Sequence, residues 1–134
     1  VEVLLVHPGG PFWATNDEGA WSIPKGLYGP AEEAEAAARR EFREETGSAA
    51  PEVLMPLGAF PLGNAKVLTA FAAAGEFDVA ALVSNTFAIE WPPHSGRQQE
   101  FPEIDRAAWF AATDAEHKLV PAQRGVVRAL LERL

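Results

Sequence analysis

Apolar positions along the chain fall into short blocks separated by turn-forming residues. Residues 1–7, VEVLLVH, are an apolar, valine-rich run that reads as a buried strand. Residues 8–13, PGGPFW, combine turn chemistry with two aromatics, and residues 15–19, TNDEG, read as a polar loop. In AWSIPKG (20–26), Pro24 pushes Ile23 out of the helical region, which predicts a short extended piece. From about residue 31 to residue 46, alanine, glutamate and arginine dominate, and a helix is predicted. Either Pro30 takes its first position or Glu33 precedes its first turn; Gly47 suits the left-handed residue that closes it. EVLMPLGAF (52–60) and KVLTAFAAA (66–74) predict two strands joined by a turn at Gly63 and Asn64, and NTFAIEW (85–91) alternates like a third. Residues 92–103 read as a polar, proline-bearing loop, followed by a short strand, AAWFA (107–111). Residues 121–134 place Val126, Val127, Leu130, Leu131 and Leu134 on one helical stripe. Strands on both sides of a central helix, with a second helix at the end, predict an α/β sandwich.

The central helix breaks its own pattern. At about 100° per residue, Glu41 and Glu45 fall within about 20° of Ala34, beside Ala37 and Ala38. Glu32, Glu35, Arg39 and Arg43 point away from that side on the same wheel. The inward stripe therefore starts with alanines and finishes with carboxylates. A merely solvated acidic face would put those carboxylates with Arg39 and Arg43. Inward carboxylates need a partner or a metal ion. Arg40 stands four residues before Glu44 and can pair with one acid, which leaves two or more facing each other. Hard divalent cations such as Mg²⁺ or Mn²⁺ take oxygen ligands of this kind.

Composition narrows the classes. With 134 residues the chain is long enough for one domain with a real core. The net charge of −8 disfavours a broad basic surface for duplex nucleic acid, but a bound cation can invert the local sign for a phosphorylated small molecule. The absence of cysteine excludes disulfides and thiolate metal sites. No apolar run is long enough to span a membrane, and the start shows no basic stretch followed by an apolar leader, so a cytoplasmic location is expected. The chain opens with valine already in a strand pattern, and an N-terminal segment is expected to be missing.

Residues 26–48 resemble the signature of the Nudix hydrolases, G-x5-E-x7-R-E-U-x-E-E-x-G-U, where U is bulky and apolar. The pattern falls on Gly26, Glu32, Arg40, Glu41, Phe42, Glu44, Glu45, Gly47 and Ser48, and only Ser48 departs from it. The resemblance implies a single Nudix-type α/β/α sandwich domain with a mixed central sheet, and a further strand before residue 1. It implies that Glu41, Glu44 and Glu45 hold Mg²⁺ or Mn²⁺ together with the Gly26 carbonyl, one glutamate acting as base through water. Arg40 would orient Glu44 or its neighbour, while Glu32 has no assigned part. Family members commonly add an acid from a later loop; Glu103 is the choice here and Glu100 the rival.

The implied reaction is hydrolysis of a diphosphate linkage in a nucleoside diphosphate joined to another group, with a dinucleoside polyphosphate or a nucleoside triphosphate as leading substrates. Lys25, in a PKG tripeptide also found in members that cut such compounds, is a candidate phosphate contact or a plain surface lysine. Phe12, Trp13, Trp21 and Tyr28 flank the site and are candidates for stacking on a base, or core residues. The aromatic turn and residues 92–102 are expected to form the specificity pocket. His7, His94 and His117 lack ligand spacing and read as structural or surface residues. Gln123 and Arg124 open the last helix and are weaker substrate candidates. The alternative function is a catalytically silent module on the same fold that binds a nucleotide metabolite.

Overall fold

The computed structural model describes residues 1–26 and 28–134. In chain order the elements are β1 (Glu2–Pro8), α1 (Ala34–Thr46), β2 (Met55–Gly63), β3 (Lys66–Ala72), β4 (Thr86–Glu90), β5 (Gln98–Pro102), β6 (Ile104–Ala111), α2 (Ala112–Lys118) and α3 (Arg124–Glu132). Single 3-10 turns lie at Val79–Ala81 and Pro121–Gln123. The strands pair as three two-stranded antiparallel ladders, β1 with β6, β2 with β3 and β4 with β5. Residues 21 and 22 add two isolated bridges, Val6 with Ser22 antiparallel and Trp21 with Leu119 parallel. The mixed sheet implied by the resemblance is thus represented, among the described residues, by short ladders and one parallel bridge.

Strand β1 lacks alternation because both its faces are covered. Leu5 and Val6 are each fully buried. Leu5 packs with Trp21, Ala115, Leu119 and Val127, while Val6 meets Ile104 and Ala107, with Phe77 and Leu82 against them. A strand buried on both sides reads as a continuous apolar run. A third cluster of Leu57, Ala70 and Val126 joins the β2–β3 hairpin to α3. The apolar stripe read in the last helix is what makes that contact.

Two stretches differ from the sequence reading. Residues 92–103 are not all loop: β5 pairs with β4 from Thr86 opposite Pro102 to Glu90 opposite Gln98. Its Gln98, Gln99 and Glu100 are exposed, so no apolar alternation marks it as a strand. Helix α2 went unread because seven residues carry barely two turns of periodicity, although Ala112 and Ala115 are buried. Helix α1 starts at Ala34 with Glu33 at the cap position, which settles the two alternatives for its start. Gly47 closes it at φ 80°, its N–H donating to the Arg43 carbonyl at 2.8 Å. The β2–β3 turn centres on Asn64 and Ala65, both with positive φ, one residue later than expected. No helix among the described residues is long and apolar enough to cross a membrane.

Candidate functional site

Helix α1 presents its acids to two different neighbourhoods. Ala37 is buried, and Glu41, one turn on, has a side chain only 13% exposed. The first neighbourhood is organised by Arg40. Its Nε and Nη2 donate to the two oxygens of Glu32 at 2.8 and 2.9 Å. Its Nη1 donates to Glu41 at 2.7 Å and reaches both oxygens of Glu44 at 3.2–3.3 Å. Arg40 therefore holds three carboxylates, not the one expected. The helical wheel turns Glu32 away from these acids, but Glu32 precedes the helix, where it is free to fold back onto the guanidinium. That hydrogen bond holds Glu32 below the usual carboxylate range, and Glu32, Glu41 and Glu44 raise Arg40 above its ordinary value.

The second neighbourhood is a cavity of about 300 Å³ whose lining includes Pro8, Trp13, Lys25, Glu45, Glu103 and Gln123. The Lys25 backbone N–H donates to Glu45 Oε1 at 3.2 Å. Burial pushes the Glu45 carboxyl up to about 7; Lys25 opposes the shift, while the negative charges of Glu41 and Glu103 add to it. Gly26 lies against Glu41, so closely that a β-carbon there would overlap the carboxylate. A side chain there would make the Glu41 carboxylate move aside. A larger, more open depression lined by Glu2, Glu76, Phe77, Asp78 and Trp109 contains none of these residues.

Glu103 reaches the cavity through backbone, not through side-chain partners. Opposite β1, Arg106 pairs with His7 and Ile104 with Pro8, so Asp105 is an extra residue in the ladder. Such a bulge re-aims the side chains around it. The Glu103 N–H donates to the Asn85 carbonyl at 2.8 Å, and the Asn85 N–H donates to the Glu44 carbonyl at 2.9 Å. The Glu103 carbonyl accepts from the Gly9 N–H at 2.8 Å, where a β-carbon on Gly9 would strike the Pro102 carbonyl. Asn85 thus ties the α1 backbone directly to the strand junction carrying Glu103. Glu100 is on β5, where its carboxylate accepts from Thr86 at 3.3 Å, and it does not line the cavity.

The aromatic candidates separate. Trp21 is 4% exposed, with Nε1 donating to Asp17 at 2.8 Å and its ring edge-on to His7 and Phe110. It is a core residue with no free face for a base, which corrects the stacking role expected of it. Phe12 is exposed and packs edge-to-face with Trp91 at 5.5 Å. Tyr28 is exposed, its hydroxyl 3.4 Å from Thr69 on β3, away from the cavity lining. Trp13 does line it. The Gln123 side chain is buried, its oxygen accepting from the Ile23 N–H at 2.9 Å and its Nε2 donating to Ser22 at 3.1 Å, so it fastens α3 to the site. Arg124 is not part of the lining.

His7 is fully buried, with Nδ1 2.9 Å from Asp105 and Nε2 2.6 Å from the Asn16 carbonyl. A carbonyl can only accept, so Nε2 carries a proton. The pairing of His7 with Asp105, 98 positions apart, left no local spacing for a sequence reading to find.

The donors suit one kind of ion. A carboxyl that burial and two like charges hold partly protonated near neutrality is returned to its ionised form by a cation. Every available donor is a hard oxygen, as Mg²⁺ and Mn²⁺ prefer. Glu41, Glu45 and Glu103, with Gly26 against Glu41 and Glu44 beside them on α1, have the donor chemistry that such an ion takes. Among the described residues no three acids are already converged as ligands, because Arg40 draws Glu41 and Glu44 to itself. No curated protein matches the chain. A family model for the NUDIX domain, however, matches residues 1–130. That span takes in the acidic helix, Lys25 and Glu103 alike, and the chain belongs to the NUDIX domain family, whose members hydrolyse phosphoric anhydrides.

Proposed function

We propose that this protein hydrolyses the diphosphate linkage of a nucleoside diphosphate joined to a further group, with Mg²⁺ or Mn²⁺ as cofactor. The observation that carries the reading is one cavity lined by Lys25, Glu45 and Glu103, with Glu41 close enough to raise the Glu45 carboxyl. Glu41, Glu44, Glu45, Glu103 and the Gly26 carbonyl would hold the cation. When bound, it neutralises phosphate charge and makes a water more acidic.

The remaining work falls to the chain. The Lys25 ammonium offers a point charge to phosphate oxygens. One of the α1 glutamates would take a proton from an attacking water, and Glu45, ionised once the cation is bound, is placed in the cavity to do so. Arg40 fixes Glu41 and Glu44 by hydrogen bonds, so the acids do not have to be ordered at the moment of reaction. Glu103 comes to the cavity from the entry to β6 instead of from α1, so the cation would be held from a second side. A dinucleoside polyphosphate and a nucleoside triphosphate are the leading substrates, in keeping with the PKG tripeptide.

The test is a panel of nucleoside triphosphates, dinucleoside polyphosphates and nucleotide sugars, with products followed by chromatography. Turnover with Mg²⁺ and none in EDTA is expected. Tight nucleotide binding without turnover across the whole panel would replace this reading with a metabolite-binding module.

A further inference from the structure

We infer that Trp13 is the recognition platform for the substrate's base, and that the favoured substrate carries one base and a short phosphate chain. This deepens the hydrolase reading and rests on it. Trp13 alone of the four candidate aromatics combines a free ring surface, 42% exposed, with a place in the lining beside Lys25, Glu45 and Glu103. Trp21 is enclosed in the core, Phe12 leans on Trp91, and Tyr28 lies toward Thr69.

The backbone that carries the indole is also held in advance of binding. The Trp13 carbonyl accepts from the Asn16 N–H at 2.9 Å, and the Asn16 carbonyl in turn accepts from buried His7 at 2.6 Å. His7 is fastened to Asp105, two positions after Glu103. On the other side of the loop, Gly10 at φ 95° lies so near the Phe87 ring that a β-carbon would stand 2.8 Å from it. The same anchor therefore serves the aromatic loop and the Glu103 segment, and little ordering is left to oppose binding. A stacked base suits an exposed indole on such an anchored loop.

Charge and size set the rest of the substrate. Lys25 is the one cationic side chain among the lining residues, against the two acids Glu45 and Glu103. A base-free ligand bearing many phosphates would leave the indole face unused and bring more charge than Lys25 alone can meet beside the cation. One aromatic face takes one base, and about 300 Å³ is at the small end of ligand cavities.

The experiment measures binding and turnover separately for wild type, Trp13→Ala and Trp13→Phe. Binding is followed by calorimetry with an α,β-methylene nucleoside triphosphate, an α,β-methylene dinucleoside polyphosphate and base-free 5-phosphoribosyl 1-diphosphate. Trp13→Ala is expected to weaken the mononucleotide about tenfold, as loss of one stacked base does. Trp13→Phe should recover most of that affinity, and the base-free ligand should bind all three proteins alike. In turnover, Trp13→Ala should raise KM and leave kcat within about twofold. Equal weakening of base-bearing and base-free ligands overturns the platform. A dinucleoside ligand bound about tenfold or more tighter than the mononucleotide overturns the single-base assignment. Wild type that binds the mononucleotide through Trp13 but turns over nothing overturns the hydrolase reading instead, so the two failures are distinct.

Discussion

The acids on and just before α1 are resolved in two opposite ways. Glu32, Glu41 and Glu44 surround the fork of Arg40, and each has a cationic hydrogen-bond partner within 3.3 Å. Glu45 has only a backbone N–H from Lys25, and its carboxyl is raised to about 7 by burial, with Glu41 and Glu103 adding to the shift. The first arrangement is built to persist. The second is costly as it stands and becomes favourable when a positive charge arrives. Perturbed carboxyls of that kind cluster where chemistry is done, and a protein keeps them at some expense in stability. The contrast singles out Glu45 as the acid of α1 that an added cation would relieve most.

The largest expected effect comes from removing the Glu45 carboxylate. Glu45→Gln should lower kcat/KM on the order of 10²- to 10³-fold, as loss of one electrostatic group in an active site does. Glu35→Gln, whose carboxylate meets only Arg39 at 3.4 Å on a solvated face, should stay within about twofold. Similar losses at both positions would erase the distinction.

Next comes the far wall of the cavity. Glu103→Gln should lower kcat about tenfold or more with KM nearly unchanged, the pattern of an interaction made in the transition state. Glu100→Gln, removing an acceptor for Thr86 outside the cavity, should change little. The reverse outcome passes the role to Glu100. On the paired side, Arg40→Lys replaces a fork with a point charge that cannot span Glu32, Glu41 and Glu44 together. Activity should fall about tenfold, the usual scale for a supporting partner of metal ligands.

The smallest effect is thermal. In EDTA, the unfolded chain's Glu45 titrates near 4.5 and the folded chain's near 7. Between those values the folded state binds more protons, so stability falls as pH rises through the window. Glu45→Gln removes that dependence. The variant should melt several degrees above wild type at pH 8 and level with it at pH 4.5. A constant offset at both pH values would show that the carboxyl is not strained in the folded state.

Much of this site was legible because it is local. The spacing from Gly26 to Gly47 carries the helix, its left-handed close and the inward acids, and each depends on residues within a few turns of one another. What stayed hidden depends on distant partners or on solvated backbone. Strand β5 has polar, exposed residues and owes its form to pairing with β4. Trp21 looked like a binding aromatic until the core closed over it from α2, β6 and the loop carrying Asp17. Glu32 was placed on a helical wheel although the helix starts two residues later. Nothing near His7 in sequence announces Asp105, and nothing near Asn85 announces that it ties α1 to Glu103.

The most direct measurement of the central claim is the melting temperature of wild type and Glu45→Gln as Mg²⁺ is titrated into the metal-free protein at pH 8 and at pH 5. Binding to the folded state raises stability by mass action. If Glu45 seeks a cation, Mg²⁺ raises the wild-type melting temperature at pH 8, much less at pH 5 where its carboxyl keeps its proton, and hardly at all in Glu45→Gln. An equal rise in both proteins at both pH values would contradict the account.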